Sequence, residues 1–363
     1  MALPRLRTLV VVTGAALLAR RAMRRRIEAS PLWPMPALAE PVSGYSERRS
    51  TTTRPLLITE RDEVADGVVR LRLAGDDLPA WRPGAHLDLV LPSGLVRQYS
   101  LCGDPGDRDA YTVAPRLVED GRGGSREVHA QLHEGTEVRV RGPRNRFPLV
   151  EAPSYVFVAG GIGITPILPM LRAVAASGAD WQLLYGGRTR ASMPFLDEIE
   201  KLGADGGRVI VVPEDEAGHP DAAAALAGAA AGTAVYVCGP GPLMDAVAAA
   251  LPQGCSFHLE RFTAAGTDPS STASMSSTAF EVELRRSGRT VPVAAGQSVL
   301  AAVREELPYV SYSCEQGFCG TCQQRVLEGE IDHRDELLTD AEREDSMLLC
   351  VSRCRGARLV LDL

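Results

Sequence analysis

The chain has 363 residues and a formal net charge of −7, long enough for two or three domains with separate cores. Charge is uneven: residues 1–50 hold nine arginines against three glutamates, the remainder carries −13, and the single lysine is Lys201. So acidic a body excludes nucleic acid as the natural partner. Eight cysteines, four of them scattered at Cys102, Cys238, Cys255 and Cys354, do not make a disulfide framework and fit a reducing cytoplasm.

Arg5 and Arg7 precede an apolar run from Thr8 to Ala19, and Arg20, Arg21, Arg24, Arg25 and Arg26 follow it. That run, as a helix, spans only ~18 Å against a hydrocarbon core of ~30 Å. Arginines stand where a signal peptide needs small residues for cleavage. Two readings stay open for residues 1–51: a loose extension, or a cationic anchor holding a cytoplasmic protein at the inner face of the membrane. Pro31 to Pro41 reads as a semi-rigid spacer.

Residues 52–150 show period-two patterning. Leu56–Thr59, Val68–Leu73, His86–Leu91, Val96–Leu101, Tyr111–Ala114 and Glu137–Val140 are bounded by Gly, Pro, Asp or Ser, which predicts an antiparallel β-barrel. On the fourth of these strands Arg97 and Tyr99 share one face and Ser100 points to the other. Gly121-Arg122-Gly123-Gly124-Ser125 opens a helix-like segment that runs to about His133. Glycines and a hydroxyl at a helix start offer free N–H groups and the positive dipole end to a phosphate. Each piece alone is equally consistent with a solvated strand face and a plain helix cap.

Residues 151–262 alternate apolar runs with helical segments, the pattern of a parallel sheet with helices on both faces. Tyr155–Ala159 leads into Gly160-Gly161-Ile162-Gly163-Ile164-Thr165-Pro166 at the start of a helix, and Ala234–Cys238 leads into Gly239-Pro240 before another. The first loop departs from G-x-G-x-x-G, yet small residues at a strand-to-helix turn still let a pyrophosphate approach the backbone. Residues 263–278 are rich in Ser, Thr, Ala and Gly, a linker composition.

Residues 279–363 give a predicted hairpin (Phe280–Leu284, Thr290–Val293), a helix (Val299–Glu306) and strands at Gln323–Glu328 and Arg358–Leu361, fitting a β-grasp ferredoxin domain. Cys314, Cys319 and Cys322, with a distant Cys350, have the spacing of the plant-type four-thiolate ligand set of a [2Fe–2S] cluster. Gly317 and Gly320 permit the tight turns that aim backbone N–H groups at sulfur. A zinc site would more commonly show two C-x-x-C pairs. Cys354 is a second candidate for the fourth ligand; the apolar lead-in Met347-Leu348-Leu349 favours Cys350. Asp335, Glu336, Asp340, Glu342, Glu344 and Asp345 read as an acidic face that steers a basic partner.

Taken in order, Arg97-x-Tyr99-Ser100, Gly123-Gly124-Ser125, Pro143-Arg144-Asn145-x-Phe147-Pro148-Leu149, Gly160 to Pro166, Cys238-Gly239-Pro240 and the cysteine loop resemble the phthalate dioxygenase reductase and vanillate demethylase reductase family, within the ferredoxin–NADP reductase superfamily. The likeness covers residues 54–363. It implies a flavin barrel, a nicotinamide domain and a ferredoxin domain in that order, with FMN rather than FAD. It implies Arg97, Gln98, Tyr99 and Ser100 at the FMN with Val113 and Ala114 nearby, and Gly123, Gly124 and Ser125 at its phosphate. It sets Gly160, Gly161, Gly163, Ile164, Thr165, Pro166, Cys238, Gly239 and Pro240 along the nicotinamide cofactor and Phe262 beside the flavin. It also favours Cys350 as fourth ligand, although the family more often has a small residue where Cys354 stands.

Electron counting gives these pieces one purpose. Nicotinamide releases two electrons together, a [2Fe–2S] cluster takes one, and a flavin converts between them. Ser100 and Cys238 are expected to line the hydride path. The expected activity is the reductase component of an oxygenase, either a Rieske non-haem iron enzyme or a cytochrome P450. The rival is a membrane-surface redox-sensing module with the same cofactors. Arg188 and Arg190 follow the second parallel strand and fit either a 2′-phosphate or solvent; the resemblance points to NADH over NADPH.

Overall fold

The computed structural model describes residues 53–204, 208–262, 278–335 and 337–363. The expected N-terminal anchor and spacer, and nearly all of the linker, lie outside these residues. Among the described residues no helix is long and apolar enough to cross a membrane.

The first sheet comprises β1 (Arg54–Ala65), β2 (Val68–Ala74), β3 (Ala85–Val90), β4 (Val96–Ser100), β5 (Ala110–Val113) and β6 (Glu137–Asn145), in the order β4-β3-β6-β1-β2-β5. Every pairing within it is antiparallel. An antiparallel bridge between Leu101 and Val113 joins its two outer strands, closing the sheet into a barrel and removing its free edges. Alternation explains the inside: Leu71 and Leu73 are fully buried while Arg70 and Arg72 stay partly exposed. β1 runs past Thr59 to Ala65, because it pairs with β2 along its whole later half. β6 likewise runs beyond Val140, because its later residues pair with β3.

The second sheet has β7 (Ser154–Gly160), β8 (Asp180–Gly187), β9 (Arg208–Pro213), β10 (Ala234–Cys238) and β11 (Ser256–Glu260), all parallel, in the order β11-β10-β7-β8-β9. Both faces are covered. Phe157, Tyr185 and Tyr236 pack on one side, Val156, Val158, Val235 and Val237 on the other, which is why these strands read as unbroken apolar runs. The chain runs outward from β7 through β8 to β9, then returns to β10 on the opposite side of β7. The carboxyl ends of β7 and β10 therefore form a topological switch point, the place where open α/β sheets bind ligands.

The third sheet has β12 (Phe280–Leu284), β13 (Arg289–Val293), β14 (Gln323–Glu328), β16 (Ser346–Leu348) and β18 (Arg358–Leu361), ordered β13-β12-β18-β14-β16, with β15 (Ile331–Asp332) and β17 (Arg353–Cys354) as a separate pair. The central β12–β18 pairing is parallel and its neighbours antiparallel. The helix Val299–Glu306, capped by Ser298, buries Val299, Leu300, Ala302 and Val303, the arrangement of a ferredoxin-type β-grasp.

Specific contacts join the sheets. Phe147, at the exit from the barrel, belongs to the core of the second sheet, and the Tyr236 hydroxyl donates to Pro148 O at 3.0 Å. Arg172 donates to the carbonyls of Cys102 and Gly103, both at 2.7 Å, while pairing with Glu198. At the switch point the glycines serve close approach: a Cβ on Gly163 would lie 2.1 Å from the Cys238 carbonyl oxygen. Since backbone cannot move aside as a side chain can, Gly163→Ala should destabilise the protein by ~1–3 kcal/mol. A lowered urea midpoint with unchanged slope would register this, and an unchanged midpoint would contradict it.

Candidate functional site

Four chain segments meet over one face of the barrel. Val96, Arg97, Gln98 and Ser100 from β4, Arg122 from the glycine loop, Glu260 and Phe262 from the end of the second sheet, and Cys314 and Phe318 from the cysteine loop line a cleft of about 450 Å³. A second cavity, of about 480 Å³, adjoins it and shares Gln98, Glu260 and Phe318.

One end of the cleft has the chemistry of a phosphate cradle. The helix Gly124–Gln131 has Gly123 as N-cap at φ +81°, and no side chain caps its first N–H groups. The Arg97 side chain lies across it, so close that a Cβ on Gly124 would sit 2.2 Å from Arg97 Nε. Arg97 also donates to the Arg122 carbonyl at 2.9 Å. Open N–H groups, the positive helix end and a guanidinium fit a flavin phosphate. The Ser125 hydroxyl is turned away from this end, accepting from Val118 N–H at 3.0 Å and returning a bond to Val118 O, so only its backbone N–H is open there.

Further along the cleft, Gln98 and Ser100 form the wall. Tyr99 is directed the other way and packs against the barrel core. Val113 and Ala114 are buried, Ala114 in a small cluster against which Ile162 of the glycine loop packs. Val113 belongs to the barrel core and Ala114 to the seam between barrel and second sheet. Ile164, Thr165 and Pro166 are buried as well, and the Thr165 hydroxyl donates to Ile162 O at 3.0 Å; they shape the loop from within. Gly160 packs against Gly239 and Pro240, so the two strand-end turns lie back to back. Arg188 is exposed, and Arg190 is engaged by Glu216 and Glu200.

Sequence reasoning missed Glu260. It ends β11 beside Cys238 of β10, and the Ser100 hydroxyl donates to its Oε2 at 3.1 Å, so the two expected hydride-path residues are linked through it. Burial pushes the Glu260 carboxyl up to about 8, against the opposing effect of the Ser100 bond. Burial, and then the neighbouring Glu260, push the Cys238 thiol well above the ordinary range. Its position at the carboxyl end of a parallel strand was the available signal. His86 and Asp88 were missed too: two polar residues that alternate with the core leucines of β3 and lie on its opposite face, one buried without ring partners and the other paired with Arg144. Burial, then Arg144 and Arg146, hold His86 down at about 3.

The cysteine loop faces this site. Cys314, Cys319, Cys322 and Cys350 are all buried, and their thiols touch in a chain: Cys319 with Cys314, Cys314 with Cys350, Cys350 with Cys322. Protons shared along it hold Cys314 well below the usual thiol range, through Cys319 and then Cys350, and hold Cys350 above it, through Cys314 and then Cys322. Two joined thiol pairs fit two irons; among the described residues no group of three or more His, Cys, Asp or Glu is spaced for one metal ion. Backbone N–H groups of Gln316 and Thr321 point at Cys314 and Cys319 sulfurs at 3.4 and 3.5 Å. Glu315, Gly317 and Gly320 adopt positive φ to allow it. Cys354 lies elsewhere, on β17, its sulfur bonded to the Arg358 carbonyl and the Gly356 N–H.

The expected acidic face is only partly a face. Asp335 is buried and accepts from Leu338 N–H and the Ser352 hydroxyl. Glu342 closes a capping box with Thr339 and pairs with Arg146 of the barrel at 3.8 Å. Asp340, Glu344 and Asp345 are exposed, Asp345 pairing with Arg325, and Glu336 lies outside the described residues.

Comparison with known proteins agrees with this geometry. Residues 282–355 match the family described as 2Fe-2S iron-sulfur cluster binding domain, and residues 157–249 the family described as Oxidoreductase NAD-binding domain. The chain is 39% identical over 319 residues to the phthalate 4,5-dioxygenase oxygenase reductase subunit of Pseudomonas putida, covering 85% of this chain and 96% of that one. It is similar to the solved phthalate dioxygenase reductase, described as modular for electron transfer from pyridine nucleotides to [2Fe-2S]: 36% identity, TM-score 0.64, 86% of this chain and 98% of that one. It is also similar to an intact type IV self-sufficient cytochrome P450 monooxygenase, at 42% identity and TM-score 0.74, covering 86% of this chain but 41% of that one.

The raised Glu260 pKa has a measurable consequence. The native state holds this proton more tightly than the unfolded chain, so its stabilisation is present below about 4.5 and lost as pH rises through about 8. Wild type should therefore lose more Tm between about pH 5 and about pH 9 than Glu260→Gln, which has no proton to lose there. Equal losses would contradict the assignment.

Proposed function

The chain belongs to the phthalate dioxygenase reductase family, and on that premise we propose how its residues hold the cofactors of an oxygenase reductase. It is an NAD(P)H-dependent oxidoreductase that passes electrons from NAD(P)H through FMN and a [2Fe–2S] cluster to a partner oxygenase, a Rieske non-haem iron enzyme or a cytochrome P450. The observation that carries this reading is the shared cleft. Cys314 and Phe318 of the cysteine loop line the same space as Arg97, Ser100 and Glu260, so the groups that must exchange electrons are adjacent.

We take residues 52–150, 151–262 and 279–363 as the flavin, nicotinamide and iron–sulfur domains. Bound flavin supplies the conversion between a two-electron donor and a one-electron acceptor. Arg97 and the N–H groups of Gly124 and Ser125 would hold its phosphate, with Gln98, Ser100 and exposed Phe262 lining the rest of the cleft. Gly160, Gly163 and Gly239 clear the backbone for the nicotinamide cofactor. The Glu260 carboxyl, pushed up to about 8, is mostly protonated near neutral pH, which limits negative charge beside Ser100 and Cys238. Cys314, Cys319, Cys322 and Cys350 would hold the [2Fe–2S] cluster, which accepts one electron at a time. Arg20 to Arg26 support a peripheral hold on an anionic membrane surface. Sedimentation with anionic vesicles, with and without residues 1–50, tests that hold, and equal capture of both would remove it.

Two experiments test the whole reading. NADH should reduce cytochrome c through the purified holoprotein at rates typical of enzymes, on the order of 1–1,000 per second. Turnover slower than this by orders of magnitude would favour a redox sensor. Cys350→Ser should abolish or strongly alter the EPR and visible spectra of the cluster, and Cys354→Ser should leave them near wild type. The opposite pattern would overturn the ligand set.

A further inference from the structure

His86 is the most anomalous buried polar residue in the site. It lies on β3, directly across from Ser100 of β4 and Arg144 of β6, so its side chain shares a sheet face with Ser100. It is 2% exposed, and neither ring nitrogen has a hydrogen-bond partner. A buried polar group left unpaired costs about 1–3 kcal/mol, so such groups are few in native proteins and mark interactions completed by something else.

The cavity that His86 lines, of about 480 Å³, adjoins the flavin cleft and is also lined by Cys319, Gln98, Glu260, Arg146 and Arg261. An imidazole carries at least one N–H in every protonation state, whereas the two arginines only donate. Glu260 already accepts from Ser100. The other Glu260 oxygen, the Gln98 amide and the Cys319 sulfur remain as acceptors around the same cavity, none of them bonded to the ring in this structure. Cys319 as a thiol donates to Thr321 Oγ1 at 3.3 Å; as an iron ligand it has no proton and becomes an acceptor.

We propose that His86 is a positioning residue for electron transfer: its ring N–H donates to the Cys319 sulfur of the assembled cluster and raises the cluster's reduction potential. This inference rests on Cys319 being a cluster ligand, as read above. Reduction adds negative charge to the cluster, so a hydrogen bond to a ligand sulfur stabilises the reduced form more than the oxidised one. Placed between the flavin cleft and the cluster, that bond favours forward transfer without entering the chemistry at either end.

The test is an EPR-monitored redox titration of the full-length holoprotein. His86→Phe and His86→Met, which lack an N–H, should reduce the equilibrium constant for cluster reduction about tenfold, a fall of about 59 mV for one electron. His86→Gln, which keeps an N–H donor, should recover most of it. Met is included because its flexible side chain fits cavities that resist Phe. A cluster potential in either variant within about twofold of wild type in that constant would overturn the proposal. A shift confined to the flavin, as expected if His86 serves Gln98 or the flavin instead, would overturn it as well. A wild-type protein without the [2Fe–2S] EPR signature would overturn the ligand assignment, and this proposal with it.

Discussion

Arg146 reaches from the end of the barrel onto the cysteine loop, and the working arrangement depends on that contact. Its guanidinium donates to Gln323 Oε1 at 2.6 Å and pairs with Glu342. It also lies so close to Gly320 that a Cβ there would be 2.8 Å from its Cζ. Gly320 thus serves two needs at once: a positive φ of 68° that turns the loop round its sulfurs, and an open surface on which another domain can rest. Arg122 makes a second contact, to Gln316 Oε1 at 3.3 Å. Both arginines belong to the flavin side and their acceptors, two amides and the Glu342 carboxylate, to the iron–sulfur side, so the docking is polar. Polar contacts of this kind hold orientation without the tight burial that would make separation slow.

That balance matters because the iron–sulfur domain serves two partners. It must meet the flavin cleft to be reduced and an oxygenase to be oxidised. Glu342 is committed to its own helix cap and to Arg146, and Asp335 to the loop's interior. Among the described acidic residues of 335–345, Asp340, Glu344 and Asp345 face solvent, the last partly offset by Arg325. Exposed pairs of this sort contribute little to stability and more to the rate and orientation of encounter.

The electrostatics of the cleft follow one logic. Negative charge beside Ser100 is limited, because burial raises both the Glu260 carboxyl and the Cys238 thiol. Positive charge is placed where phosphate is expected, at Arg97 and Arg122, and beyond the barrel wall at Arg144 and Arg146, which together with burial keep His86 neutral. The sheet makes this possible: alternate residues of β3 and β4 face the cleft while their neighbours fill the barrel core.

The sequence by itself determined the parts whose chemistry is local. Cysteine spacing specifies a cluster loop because the sulfurs must wrap one small object within a few residues. Glycine-rich strand ends specify close backbone approach because no other residue permits it, as Gly163 against Cys238 demonstrates. Alternating and unbroken apolar runs separate the barrel from the parallel sheet because the two bury one and both faces. Only tertiary structure decided which residues from different elements meet. Strand register directed Tyr99 to the barrel core and left Gln98 and Ser100 on the cleft. The position of Val118 claimed the Ser125 hydroxyl. The fold of residues 331–358 set Cys350 among the thiols and Cys354 apart from them. Glu260 and His86 carry no spacing signature; they became legible once β11 and β3 converged on one cavity, because the bond of Glu260 to Ser100 and the unpartnered burial of His86 are properties of that convergence.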